Sequence, residues 1–245
     1  MNPNFLDARN AISLEILFES IKSVFEIAAR FDPNVFCGLG FVILKYFLFV
    51  QSLFLVSVAH GTYEPRVGDL YFQSLPRNAV INAIEGASES PYSHCGILVR
   101  KGGAWFVLEA IGPVMETPLA KWINQARDKH YDVFRLREKH DVHIPEFIKS
   151  ARKYLGRPYD IRYRMDDEKI YCSELIFKGY RDATGEQLGK LVKFGELKWG
   201  RHVSIIIEIE GSIPLKRIMI TPRHLSEAKQ LEKIFSSKEK IRKKR

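Results

Sequence analysis

The chain has 245 residues, 46% hydrophobic and 12% aromatic, which is enough apolar material for one sizeable core and too much for a disordered protein. Its formal charge of +9 suggests a nucleic-acid partner until the charge is located: residues 236–245 hold six basic residues and one acidic, hence five of the nine net charges. Such a tail reads as a basic, disordered end able to touch anionic lipid, and with no zinc-finger, helix-turn-helix or aromatic-basic RNA motif beside it no nucleic-acid partner is expected.

In chain order, residues 1–34 carry three basic and five acidic side chains, and Leu17, Ile21, Val24, Phe25 and Ala28 recur at helical spacing, so 12–31 is expected to form an amphipathic helix. Val35 to Ala59 is apolar and long enough to span a bilayer. Lys45, the apolar run after it and Ser57-Val58-Ala59 also read as a secretory signal with cleavage after Ala59. Residues 1–59 are therefore expected to be a signal peptide or a membrane anchor, with 1–43 as a mis-assigned start in the first case. Either way the remainder is expected to be exported, periplasmic or membrane-anchored. Residues 60–235 are expected to form the globular domain.

Within that domain, Gly68 to Phe72 reads as a strand and Asn78 to Glu85 as a helix. Cys95–Arg100 and Ala104–Glu109 are strand-like and separated by Lys101-Gly102-Gly103, a strong hairpin signal. A two-residue loop at Gly102-Gly103 pairs Lys101 with Ala104, which places His94 diagonal to Glu109 on one face. Leu119–Ala126 is expected as a helix, Tyr131–Leu136 as a strand, His143–Leu155 as a helix ended by Gly156, Gly156–Asp160 as a turn, Ser204–Ile209 and Arg217–Ile220 as strands, and Thr221 as the start of the last helix. Helices and strands without regular βαβ alternation indicate the α+β class, an antiparallel sheet packed against helices.

Chemistry gathers at Tyr171-Cys172-Ser173-Glu174-Leu175, where a β-favouring pair, Ile170-Tyr171, delivers a cysteine to the start of a helix. Unpaired amides and the positive end of the helix dipole favour an anion there, so a thiol nearby is acidified. Taken alone, Cys172 reads more readily as a small buried hydrophobe. The three cysteines, Cys37, Cys95 and Cys172, lack C-x-x-C spacing, so neither a disulfide framework nor a zinc site is expected. A Cys95–Cys172 disulfide would block the site.

The ordered set Gly68-Asp69, Ser93-His94-Cys95-Gly96, Glu109-Ala110, Gly156-Arg157-Pro158-Tyr159-Asp160, Tyr171–Leu175 and Thr221-Pro222 resembles the circularly permuted papain-like hydrolases, in particular the bacterial YiiX/YebB-like branch of the NlpC superfamily. In that branch the histidine precedes the cysteine, as here. The resemblance covers roughly residues 64–235 and implies a permuted papain-like fold, Cys172 as nucleophile, His94 as base and Glu109 as the residue that orients it, with neither metal nor organic cofactor. Tyr92 and Tyr171 are weaker candidates for supporting an oxyanion. The implied reaction is hydrolysis of an amide or acyl bond through a thioester, on a peptide, a cell-wall fragment or an acyl lipid. An acyltransferase, a non-catalytic binding relative and a membrane-associated scaffold are the competing readings. Cys95 departs from the aliphatic residue expected after the histidine.

Overall fold

The computed structural model describes residues 63–238; the amphipathic and apolar N-terminal segments and the tail beyond 238 lie outside the described residues. Six antiparallel strands form one sheet in the order β4-β3-β2-β1-β5-β8: β1 (Leu70–Gln73), β2 (His94–Lys101), β3 (Ala104–Ala110), β4 (Val114–Pro118), β5 (Tyr131–Leu136) and β8 (Leu231–Ser236). A two-stranded ribbon joins β6 (Val192–Lys193) to β7 (Ile218–Met219). The helices are α1 (Ala79–Ser88), α2 (Leu119–Gln125), α3 (Ile144–Arg152), α4 (Cys172–Thr184), α5 (Val203–Glu210) and α6 (Pro222–Ser226). The architecture is the expected α+β class.

Alternation along the strands sends Leu70, Phe72, Cys95, Ile97, Leu108 and Phe134 to one face, where they pack with Phe147 of α3 and Leu175, Ile176 and Phe177 of α4. The opposite face presents Tyr71, Leu98, Val107 and Val133 to Trp122 of α2. Helices α3 and α4 approach closely at Gly179, where an added Cβ would lie 2.8 Å from that of Ala151. The main core is thus a helical layer on one sheet face, and it buries the start of α4.

Local chemistry explains most boundaries. Asn78 caps α1 by accepting the Ile81 N–H at 2.8 Å, and Thr221 caps α6. Gly185 ends α4 in the left-handed region, φ 74°.

Three expectations need correction. Ser204–Ile209 is not a strand but the middle of α5, closed by Gly211 at φ 78° with its N–H on the Ile207 carbonyl at 2.8 Å. The outer strands of the large sheet are β4 and β8, and Ile205, Ile206 and Ile209 share one helical face, so tertiary placement overrides the β preference of isoleucine. Strands β4 and β8 were not anticipated. β8 also moves the start of the tail, since Ser236 belongs to the strand and the Ser237 hydroxyl accepts the Tyr131 N–H at 2.9 Å.

Candidate active site

Sheet register brings an imidazole and a carboxylate together. Lys101 pairs with Ala104 and Gly96 with Glu109, so His94, two residues before Gly96, stands diagonal to Glu109 on one face. Nε2 of His94 lies 2.5 Å from Oε2 of Glu109, and both side chains are buried. Gly96 leaves the room for this approach: a Cβ at that position would sit 2.3 Å from Val107 Cγ1 and 3.3 Å from Glu109 Cβ. Glycine here is a packing requirement of the pair.

Cys172 is the first residue of α4. Tyr171 before it is extended, φ −102° and ψ 168°, and the Glu174 carboxylate accepts its N–H at 3.2 Å, which fixes where the helix starts. The amides of the first turn have no helical acceptor, so their partial positive charge lies at the sulfur. The Cys172 thiol lies within reach of the Cys95 thiol, the His94 ring and the Cys95 backbone N–H, each of which favours its anion. With Nε2 held by Glu109, it is Nδ1 of the ring that remains for the sulfur.

These contacts set the protonation states. Hydrogen bonding from the Cys95 thiol, with His94 next, outweighs burial and holds Cys172 well below the ordinary thiol range. Burial, reinforced by the neighbouring Cys172, pushes Cys95 well up, so Cys95 keeps its proton and donates. Burial would lower His94, but Cys172 and then Glu109 overcome it and lift the ring to about 10. At neutral pH the resting pair is a Cys172 thiolate and a His94 imidazolium.

Both tyrosines proposed as oxyanion supports are engaged elsewhere. The Tyr92 hydroxyl bonds Asp132, and the Tyr171 hydroxyl accepts the Ile220 N–H at 3.1 Å while contacting Met165 Sδ at 3.0 Å. They brace the structure, which leaves the unpaired amides at the start of α4 as the candidate oxyanion donors. His140 bonds Tyr180 and His224 bonds Thr221, away from the site.

Sequence reasoning missed three contributors. Cys95 read as a core residue, and its contact with Cys172 depends on how α4 packs on β2. Tyr159 and Tyr163 lie near enough for the Cys172 charge to act on them, their hydroxyls 3.2 Å apart; Tyr163 adopts φ 53°, held in a loop whose Asp160 carboxylate accepts the amides of Arg162 and Arg164. Cys172 is only 2% exposed. The signal for this loop was the Gly-Arg-Pro-Tyr-Asp turn itself. The third is Lys178, buried in α4, which pairs with Glu174 at 2.8 Å and with Asp167 at 2.7 Å and also bonds the Asp166 carbonyl, tying the loop after Asp160 to the helix that begins at Cys172.

Residues 64–235 match the model of the family described as permuted papain-like amidase enzyme, YaeF/YiiX, C92 family. The chain belongs to this permuted papain-like amidase family. It is 35% identical over 192 residues to the uncharacterized protein YiiX of Escherichia coli K12, covering 77% of this chain and 94% of that one. A crystal structure of YiiX from Escherichia coli O157:H7, described as a metalloprotein, superimposes with a TM-score of 0.68 at 34% identity, covering 71% of this chain and 99% of the other. Membership of the amidase family supports a cysteine hydrolase of this fold.

Proposed function

We propose that the protein hydrolyses an amide or acyl bond with Cys172 as nucleophile, His94 as acid and base, and Glu109 as the residue that orients His94. One observation carries this reading: an acidified thiol at a helix start lies beside an imidazole that a buried carboxylate holds at 2.5 Å.

The thiolate attacks the substrate carbonyl. The oxyanion faces the free amides of the first turn of α4, each such donor contributing about 3–4 kcal/mol in comparable sites. The His94 imidazolium gives its proton to the departing amine or alcohol, and the neutral ring then draws a proton from the water that opens the thioester. Glu109 keeps the ring in register throughout. Because Cys172 is only 2% exposed, a substrate carbonyl reaches it only when side chains around it are displaced.

The metal attributed to the relative does not transfer on geometry, since among the described residues no group of three or more His, Cys, Asp or Glu side chains is placed to hold a metal ion. The steps above run through the thiol alone. Export or membrane attachment through residues 35–59 belongs to the same proposal. Among the described residues no helix is long and apolar enough to cross a membrane, and the stretch in question lies outside them. N-terminal sequencing tests export; an intact Met1 on a cytoplasmic protein refutes it.

The activity test is a screen of the purified chain against peptidoglycan fragments, N-acyl amides and acyl esters, beside Cys172→Ala. Turnover that disappears in the variant, with a thioester on Cys172 captured by mass spectrometry, supports the reading. Undiminished turnover in Cys172→Ala overturns it.

A further inference from the structure

The proposed hydrolysis reacts at one of two buried thiols. Cys95 lies on β2 and Cys172 opens α4; both are free, and both belong to the core that α4 makes with the sheet. Phe72 stands beside Cys95 across the strands, and Leu175 and Ile176 of α4 pack in the same core. The Cys172 sulfur is within reach of both the thiol and the backbone N–H of Cys95. A sulfur near both groups of one residue lies over the Cα–Cβ bond of that residue. The two chains therefore stand close to the separation a disulfide needs, roughly 4.4–6.8 Å between Cα atoms. An aliphatic side chain at position 95 would fill this place in the core as well as cysteine does. What cysteine adds is a second sulfur beside the first.

The two sulfurs also differ in the way that ordered oxidation requires. Peroxides oxidise the thiolate, and the Cys95 thiol and His94 hold Cys172 in that form. Burial, and after it Cys172, keeps the proton on Cys95, so Cys95 does not compete for the oxidant. Once oxidation removes the charge on Cys172, that part of the restraint on Cys95 is removed with it.

We propose that Cys95 is a resolving thiol: a small hydroperoxide oxidises Cys172 to a sulfenic acid, and Cys95 converts it to a reversible disulfide that closes the active site. In the first step the Cys172 sulfur attacks the peroxide. An S–O bond forms, the O–O bond breaks, and the departing hydroxide or alkoxide takes the proton of the His94 imidazolium. In the second step the Cys95 sulfur attacks the sulfenic sulfur. An S–S bond forms, the S–O bond breaks, and the hydroxide leaves as water with the Cys95 proton. The sulfur pair gives up two electrons and the peroxide takes them. Without Cys95 the sulfenic acid proceeds to sulfinic acid, which ordinary thiols do not reverse. With Cys172 only 2% exposed, the oxidant is a molecule near the size of water, and a bulky disulfide is excluded. The loss of activity rests on the hydrolase reading, whereas the disulfide does not.

The test uses the full chain carrying Cys37→Ser, which leaves Cys95 and Cys172 as its cysteines. The folded protein is treated with hydrogen peroxide near neutral pH, blocked with N-ethylmaleimide in denaturant and read by peptide mass spectrometry. The expected product is a linked Cys95–Cys172 peptide that dithiothreitol returns to free thiols. In Cys95→Val, with Cys95→Ala as the alternative should that variant melt early, dimedone is expected to trap the sulfenic acid. Cys172 is then expected to reach sulfinic acid at least about tenfold faster than in the parent chain. In Cys172→Ser, Cys95 is expected to stay a free thiol. Equal rates of sulfinic acid formation with and without Cys95 overturn the proposal, as do thiols that resist peroxide in the folded parent or a linked peptide that forms only in denaturant. For any substrate turned over, activity lost to peroxide is expected to return with dithiothreitol in the parent and to stay lost in Cys95→Val. The linked peptide together with undiminished turnover in Cys172→Ala overturns the hydrolase reading and leaves the thiol pair.

Discussion

Glu109→Gln isolates the charge that holds the imidazole, since glutamine keeps the size and one oxygen of the carboxylate. Raising His94 from 6.5 to about 10 corresponds to about 5 kcal/mol in favour of the imidazolium, at 1.36 kcal/mol per tenfold change in proton affinity. Cys172 supplies the larger part and Glu109 the next, so removing the carboxylate charge is expected to withdraw the smaller share, about 2 kcal/mol. A weaker imidazolium stabilises the thiolate less, and the two titrations move toward each other. The assay is the rate of iodoacetamide labelling of Cys172 against pH, read by peptide mass spectrometry with Cys95 as an internal reference. In the unaltered protein the labelling midpoint is expected well below the ordinary thiol value of about 8.5, and any turnover is expected to fall as pH rises through about 10, where His94 loses its proton. In Glu109→Gln the acid midpoint should rise by about one pH unit and the alkaline limb should fall. Coincident labelling profiles for the two proteins would refute the claim that Glu109 acts through the charge state of His94.

Three further perturbations follow. Cys95→Ala removes the nearest donor to the thiolate and is expected to raise the labelling midpoint of Cys172 while changing the melting temperature less than Gly96→Ala does. Gly96→Ala forces a Cβ to 2.3 Å from Val107 Cγ1 and 3.0 Å from the Leu108 carbonyl, an overpacking expected to cost about 1–3 kcal/mol in urea melts and to part His94 from Glu109. Lys178→Met strands the buried Glu174 carboxylate, which burial already lifts to about 8 against the pull of Lys178; a loss of about 3 kcal/mol is expected, with part regained in Lys178→Met/Glu174→Gln, and equal stabilities of single and double variants would refute a buried pair.

The hairpin was legible because Gly102-Gly103 dictates its register, and the register alone puts His94 and Glu109 on one face. The start of α4 was legible for a similar reason: a β-favouring pair meets a helical run at a single residue. Where local signals conflict with placement, the reading failed. Four isoleucines in six positions favour a strand, yet they lie on a helix that Gly211 closes, three of them lining an apolar cleft. β4 ends in Pro118 and β8 carries Glu232 and Lys233 on exposed positions, the features that mark protected outer strands and that also mask them from an alternation search. The contact between Cys95 and Cys172 joins a strand to a distant helix, so no spacing rule reports it.

The order in which these parts leave the ribosome also matters. The hairpin bearing His94 and Glu109 is made first, and at about 5–20 residues per second several seconds pass before Cys172 appears. During that interval the imidazole has no thiol beside it. When the cysteine arrives it remains an ordinary thiol until α4 docks on the sheet, because every group that acidifies it reaches it through that docking. On the proposed mechanism nucleophilicity is thus switched on by completion of the fold, and a nascent or unfolded copy carries only an ordinary, weakly ionised thiol.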